Sequence, residues 1–246
     1  GRLRAGTAGH VLGVLGSSGG AGATTVSCWV AAHSAASGTP TLLVDGDPLG
    51  GGLELAAGLE SQPGVRWPDV GEVRGTLNPA QLAEALPSVD GLSILSMGVD
   101  PPEPGVLATP AVPSVMQAAS NAFELTVVDL ARGWSVDGSL LPYCDSFLLV
   151  IPGRLRAISA ARALVPQLRP VPVLALVRGP VGPDLDPLRI AETAGCPLAG
   201  HLPHLRGTSS AENQGRLLEM RTQRSVRRLA DAVLRALSSP GTPVMP

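Results

Sequence analysis

One stretch near the amino end, Gly16-Ser17-Ser18-Gly19-Gly20-Ala21-Gly22-Ala23-Thr24-Thr25, combines the two things needed to hold a triphosphate. Its glycines let successive backbone N–H groups turn inward around an anion, and its hydroxyls suit Mg²⁺. The apolar run Val11-Leu12-Gly13-Val14-Leu15 precedes it and a helical run, Thr24 to Ser37, follows, which is the strand–loop–helix setting of a P-loop. The helix start adds unpaired amides and a positive dipole end. The expected phosphate contacts are Gly19, Gly20, Ala21, Gly22, Ala23, Thr24 and Thr25, with Thr24 on the metal.

The cationic part of this chemistry is missing. Ala23 stands where a lysine would reach the β- and γ-phosphates, and Ser18 stands at the seat of the upstream lysine of one P-loop subclass. All eighteen basic residues of the chain are arginine. A hydrogen bond to a charged group contributes roughly 1.5–3 kcal/mol, so the loss weakens nucleotide binding about ten- to a hundredfold without abolishing it. Phosphoryl transfer suffers more, because one absent cation costs on the order of 10³–10⁵ in rate. The expected activity is at most a weak ATPase. Arg132, Arg178 and Arg206 are the candidates for a replacement cation, although a planar guanidinium does not reproduce an ammonium point charge.

Two further segments fit the same chemistry. Thr41-Leu42-Leu43-Val44 reads as a buried parallel strand ending in Asp45-Gly46-Asp47, and Leu125-Thr126-Val127-Val128 ends in Asp129. Carboxylates at the carboxyl ends of parallel strands face the crevice into which a P-loop opens. Asp129 suits a Walker-B-type role at the metal, and Asp45 or Asp47 would orient an attacking water, with Arg132 stabilising charge. Any one such Asp is commonly a turn residue; three at strand ends beside a glycine loop are less readily explained that way.

The order of these motifs resembles the MinD/ParA family of deviant-Walker P-loop ATPases over nearly the whole chain. Within it the sequence is most similar to the CpaE/TadZ-like branch, specifically to actinobacterial septum-site-determining and CpaE-like proteins. Arg66-Trp67-Pro68-Asp69, the Gly75 to Pro87 segment, Gly91-Leu92-Ser93-Ile94-Leu95-Ser96 and Leu198-Ala199-Gly200-His201-Leu202-Pro203 carry that similarity. The resemblance implies a cytoplasmic positioning protein for septum or Flp pilus and secretion machinery, peripheral to the membrane at most. It implies ATP or ADP with Mg²⁺ as cofactor, protein partners of that machinery, a nucleotide-linked homodimer and a receiver-like domain upstream. Two departures bear on this. Ser18 cannot reach across a dimer as the family's signature lysine does, and Val177 stands where many relatives carry an adenine-reading Asn. Two other readings stay open: an active, dimerising ATPase switch that uses Arg for Lys, and a DNA-binding partition protein.

Positioning these residues requires a doubly wound, mostly parallel α/β sheet flanked by helices. With aromatics at 2%, the core must come from Val, Leu, Ile and Ala, as a sheet buried on both faces demands. Strands are predicted near 11–15, 41–45, 92–96, 125–129, 146–151, 171–177 and 198–202. Helices are predicted near 24–37, 79–86, 111–121, 156–168, 186–194 and 209–236. Asn78 before Pro79 reads as a helix cap. Residues 60–75 and 98–113, rich in Pro and Gly, read as surface loops, 1–238 as one domain, and 239–246 as a disordered tail.

Several function classes find no support. A net charge of −2 gives no global attraction to nucleic acid, and no specific nucleic acid is expected. Cys28, Cys144 and Cys196 lack CxxC spacing and read as reduced, buried thiols. His201 and His204 lack a third ligand, no Gly-x-Ser-x-Gly elbow is present, and no apolar run spans a bilayer. Val226, Leu229, Ala230, Val233 and Leu237 recur at helical spacing with Arg221, Arg224, Arg228 and Arg235 on another face, as in a terminal helix packed on the sheet.

Overall fold

The computed structural model describes residues 8–71, 73–100, 102–130, 140–182 and 185–238. Eight strands form one sheet: β1 (His10–Gly16), β2 (Thr41–Gly46), β3 (Ser88–Val89), β4 (Leu92–Leu95), β5 (Leu125–Leu130), β6 (Ser146–Pro152), β7 (Val173–Arg178) and β8 (Leu198–Leu202). Their order is β3-β4-β2-β5-β1-β6-β7-β8, and every pairing is parallel except β3 with β4. The winding reverses beside β1, so the loop after that strand opens at the switch point where α/β sheets bind ligands.

The alternation of side chains explains why helices cover both faces. In β1, Val11 and Leu15 join one hydrophobic cluster while Leu12 and Val14 join the other. The first cluster packs under α3 (Trp67–Val70), α4 (Pro79–Ala85), α5 (Val112–Ala122), α6 (Leu155–Leu168) and α7 (Pro187–Ala194). The second packs under α1 (Ala23–Ala36), α2 (Leu53–Ala57) and the C-terminal α9 (Arg224–Ser238), with α8 (Thr208–Asn213) and a 3₁₀ turn, Leu217–Thr222, between. Ten of the fourteen residues of α1 are buried, because the helix is apolar on nearly every side. The Trp29 indole N–H donates to the Leu217 carbonyl at 3.1 Å, fixing α1 to the C-terminal segment.

Several expectations need correction. β3 is an added two-residue antiparallel edge. Residues 60–75 and 98–113 are not simply surface loops: Trp67 is fully buried in α3, its indole N–H donating to the Asp45 carbonyl at 2.8 Å, and Val106 and Leu107 enter the core. The single helix over 209–236 is three elements, interrupted at Gly215, whose φ of +66° and contact with the Gly58 backbone no side chain tolerates. Asn78 caps α4 as expected, accepting from the Ala80 N–H at 2.9 Å. The three cysteines are free and buried. The predicted tail, 239–246, lies outside the described residues. Among the described residues no helix is long and apolar enough to cross a membrane.

Candidate functional site

β1 delivers the chain into residues 17–22 and α1 receives it. Ser17 N–H donates to the Val150 carbonyl of β6 at 3.0 Å, anchoring the entry, and Ala21 N–H closes a turn on Ser18 O at 3.2 Å. Gly20 and Gly22 hold φ of +67° and +87°, the left-handed region that glycine permits. Gly22 is also the N-cap of α1, and no side chain caps that helix. Among the described residues the N–H groups of Gly19, Gly20, Gly22, Ala23, Thr24 and Thr25 find no acceptor. The buried hydroxyls of Ser17 and Ser18 are likewise unpartnered. A loop with these outstanding donors at a helix start is what an oxyanion ligand satisfies, so these residues fit a phosphate group.

Two cavities flank the loop. The acidic one, about 230 Å³, brings together Thr24, Asp45, Asp47 and Asp129 with Gly50–Gly52, Glu212 and Asn213. Parallel register places Asp45 and Asp129 side by side on β2 and β5. Asp45 is held by backbone donors, Asp47 N–H at 3.0 Å and Leu53 N–H at 3.3 Å, whereas Asp129 accepts from Ser27 Oγ at 3.1 Å and also from Thr24. Burial pushes the carboxyl of Asp129 up to about 7 and that of Asp45 up to about 6; hydrogen bonds only partly offset the lost hydration. Asp47 is less buried, and its Oδ1 accepts from Leu49 N–H at 3.2 Å.

The acidic wall is braced from behind. Glu54 of α2, 2% exposed, accepts from Arg66 Nε at 3.0 Å and from Ser96 Oγ at 2.8 Å, and pairs with Arg66 Nη2 as well. With Trp67 on the Asp45 carbonyl, this network ties α2 and the end of β2 to the segment that opens α3.

The second cavity, about 370 Å³, lies on the other side of the loop, between the strand ends of β6, β7 and β8. Its polar walls are Arg154, Arg178, His204, Thr208 and Ser209, with no carboxylate or amide among them. Val177 is buried in the sheet, so nothing at that position reaches the cavity. The neighbouring Arg178 does, and its Nη1 donates to Ala21 O of the loop at 2.9 Å. Burial lowers its basicity, yet an arginine stays charged at neutral pH.

The structure therefore gathers Thr24, Asp45, Asp47 and Asp129 around one end of the loop formed by Gly19, Gly20, Ala21, Gly22, Ala23 and Thr25. Arg132 lies outside the described residues. Arg206 is exposed and lines neither cavity. Glu212 and Asn213 were not foreseen, since only the fold brings α8 to the crevice. His201 hydrogen-bonds the Gly179 carbonyl at 3.1 Å, and among the described residues no cluster of three or more His, Cys, Asp or Glu forms a metal site.

No protein-family model matches the chain. An uncharacterized protein of Mycobacterium tuberculosis is 36% identical over 199 residues, which cover 78% of this chain and 54% of the relative. The chain thus spans about half the length of the curated relatives it matches. The cell division ATPase MinD of Pyrococcus furiosus superposes with a TM-score of 0.74 at 18% identity, covering 94% of this chain and 99% of that one. A ParA family ATPase from Chlorobium tepidum gives 0.73 at 17% identity, covering 94% and 100%. The septum site-determining protein MinD of Pyrococcus horikoshii, solved with Mg-ADP, gives 0.68 at 17% identity, covering 92% and 95%. The chain has the MinD/ParA P-loop fold.

Proposed function

We propose that this chain is a nucleotide-binding positioning protein of the MinD/ParA type, which binds ATP or ADP with Mg²⁺ weakly and hydrolyses it slowly or not at all. The observation that carries this reading is the glycine loop between β1 and α1, in which the N–H groups of Gly19, Gly20, Gly22, Ala23, Thr24 and Thr25 and the hydroxyls of Ser17 and Ser18 have no partner among the described residues, while Ala23 and Ser18 occupy the lysine seats. Residues 19–25 would hold the phosphates, and Thr24 with Asp129 would hold Mg²⁺. With Thr24 and Asp129 as its protein ligands, the nucleotide and water would complete that ion's shell. The metal would supply charge neutralisation. Asp47, less buried and held by one backbone N–H, would be better placed to orient a water than Asp45, which at least two backbone N–H groups hold.

By likeness to the CpaE/TadZ-like branch, the setting is the placement of septum or pilus machinery, with protein partners and a homodimer as the working forms. The matched P. horikoshii protein was solved with Mg-ADP, which supports the cofactor assignment. A DNA-partition role is less well supported: Arg221, beside the terminal helix, is engaged by Asp90 at 2.7 Å, and the chain's net charge is −2. Isothermal titration with Mg-ATP, paired with a turnover assay, tests the reading. Micromolar or weaker binding with negligible turnover is expected. Rapid hydrolysis abolished by Asp129→Ala would overturn the weak-enzyme part, and absence of any nucleotide binding would overturn the whole.

A further inference from the structure

We propose that Arg178 is the phosphate-binding cation of this loop, supplying in cis the charge that Ser18 and Ala23 cannot. The inference rests on the nucleotide-binding reading above and adds the residue that neutralises the ligand.

Arg178 ends β7, in register with Pro152 of β6 and Leu202 of β8, so it emerges at the edge of the sheet where the loop opens. From there its side chain crosses to the loop. Nη1 donates to Ala21 O at 2.9 Å, and a Cβ on Gly22 would fall 1.2 Å from Nη1 and 2.3 Å from Cζ. The guanidinium is therefore packed against the last residue before α1. The absence of a side chain at Gly22 is what admits it.

A guanidinium carries five N–H donors, and among the described residues Arg178 uses this one hydrogen bond and has no ion-pair partner. Glu212 acts on it only at a distance. A half-buried cation with most donors outstanding, beside six outstanding loop N–H groups, is arranged for an anion rather than for the fold alone. Charge balance points the same way, because Asp45, Asp47, Asp129 and Glu212 make the other side of the loop acidic and would repel a bare polyphosphate. Arg178 also lines the 370 Å³ cavity. A ligand with phosphates on residues 19–25 and its remainder in that cavity passes the guanidinium. Arg154, which lines the same cavity, and Arg206 are exposed, and among the described residues only Arg178 of the three hydrogen-bonds the loop.

The test is calorimetric titration of the full chain with pyrophosphate, ATP and adenosine, for the wild type, Arg178→Gln and Arg178→Lys. Arg178→Gln is expected to weaken pyrophosphate and ATP about ten- to a hundredfold and leave adenosine unchanged. Arg178→Lys should restore part of the loss. Unchanged pyrophosphate affinity in a folded Arg178→Gln protein, or an equal loss for adenosine, would overturn the proposal. Failure of the wild type to bind ATP or pyrophosphate would instead overturn the nucleotide reading beneath it. If Arg178→Gln does not fold, phenylglyoxal labelling of the wild type decides: pyrophosphate should slow modification of Arg178 severalfold but not that of Arg206, and equal labelling with and without it refutes the assignment.

Discussion

Replacing Asp129 by Asn removes a carboxyl that burial raises from the usual carboxylate range near 4 to about 7. Between those values the folded protein holds a proton that the unfolded chain has released. The unfolded state then binds fewer protons, so stability falls as pH rises through this window. At about 1.4 kcal/mol per unit, Asp129 alone lowers the stability of the ligand-free protein by roughly 2–3 kcal/mol between pH 5 and pH 8. For a chain of this length that is about 5–10 °C in Tm. Asp45, raised to about 6, adds on the order of 1 kcal/mol over the same span, concentrated below pH 7. Urea unfolding of wild type and Asp129→Asn at the two pH values isolates the first contribution. The variant should be the more stable protein at pH 8, with a shallower pH dependence, and should lose its Mg²⁺-dependent gain in nucleotide affinity. A variant with the same slope as the wild type would refute this account of the acidic cavity, whereas the half-buried His10, whose pKa burial lowers, acts in the opposite direction in both proteins and cancels in the comparison.

Three other perturbations probe separate parts of the site. Ala23→Lys restores the missing ammonium and should raise ATP affinity about ten- to a hundredfold by titration; no change would mean that residue 23 does not face the phosphates. Glu54→Ala leaves the Arg66 guanidinium, 13% exposed at its side chain, without its counter-charge and held only by the Gln62 and Gly64 carbonyls, and should cost about 3 kcal/mol in urea unfolding; a loss near zero would show the brace to be dispensable. Gly22→Ala forces a Cβ onto a residue at φ +87° and into Arg178, so stability should fall by about 1–2 kcal/mol and ATP affinity with it, and wild-type values for both would show that the loop rearranges freely.

The central strands were legible because each is a mostly apolar run bounded by turn formers, and Asp45 and Asp129 follow directly on such runs. The loop was legible because its glycines recur at a spacing with a backbone reason. The region around Trp67 was not, since Pro63, Gly64 and Pro68 read as a loop and only the indole bond to Asp45, 22 residues away, explains its burial. The terminal helix read as continuous because its apolar spacing persists, while Gly215 and its backbone contact with Gly58 break it. Arg178 stood in sequence as one arginine among several near strand ends. What separates it is a hydrogen bond to a residue 157 positions away, which no local pattern encodes.

Because ten of the fourteen residues of α1 are buried between the sheet and the C-terminal segment, sliding or tilting it would disturb close-packed side chains on most of its circumference. The loop is therefore mounted on one of the best-packed helices of the molecule. The rim of the crevice, from Asp47 to Gly52 and in the turn after β8, is by contrast largely exposed, so rearrangement there costs less packing than rearrangement of the floor.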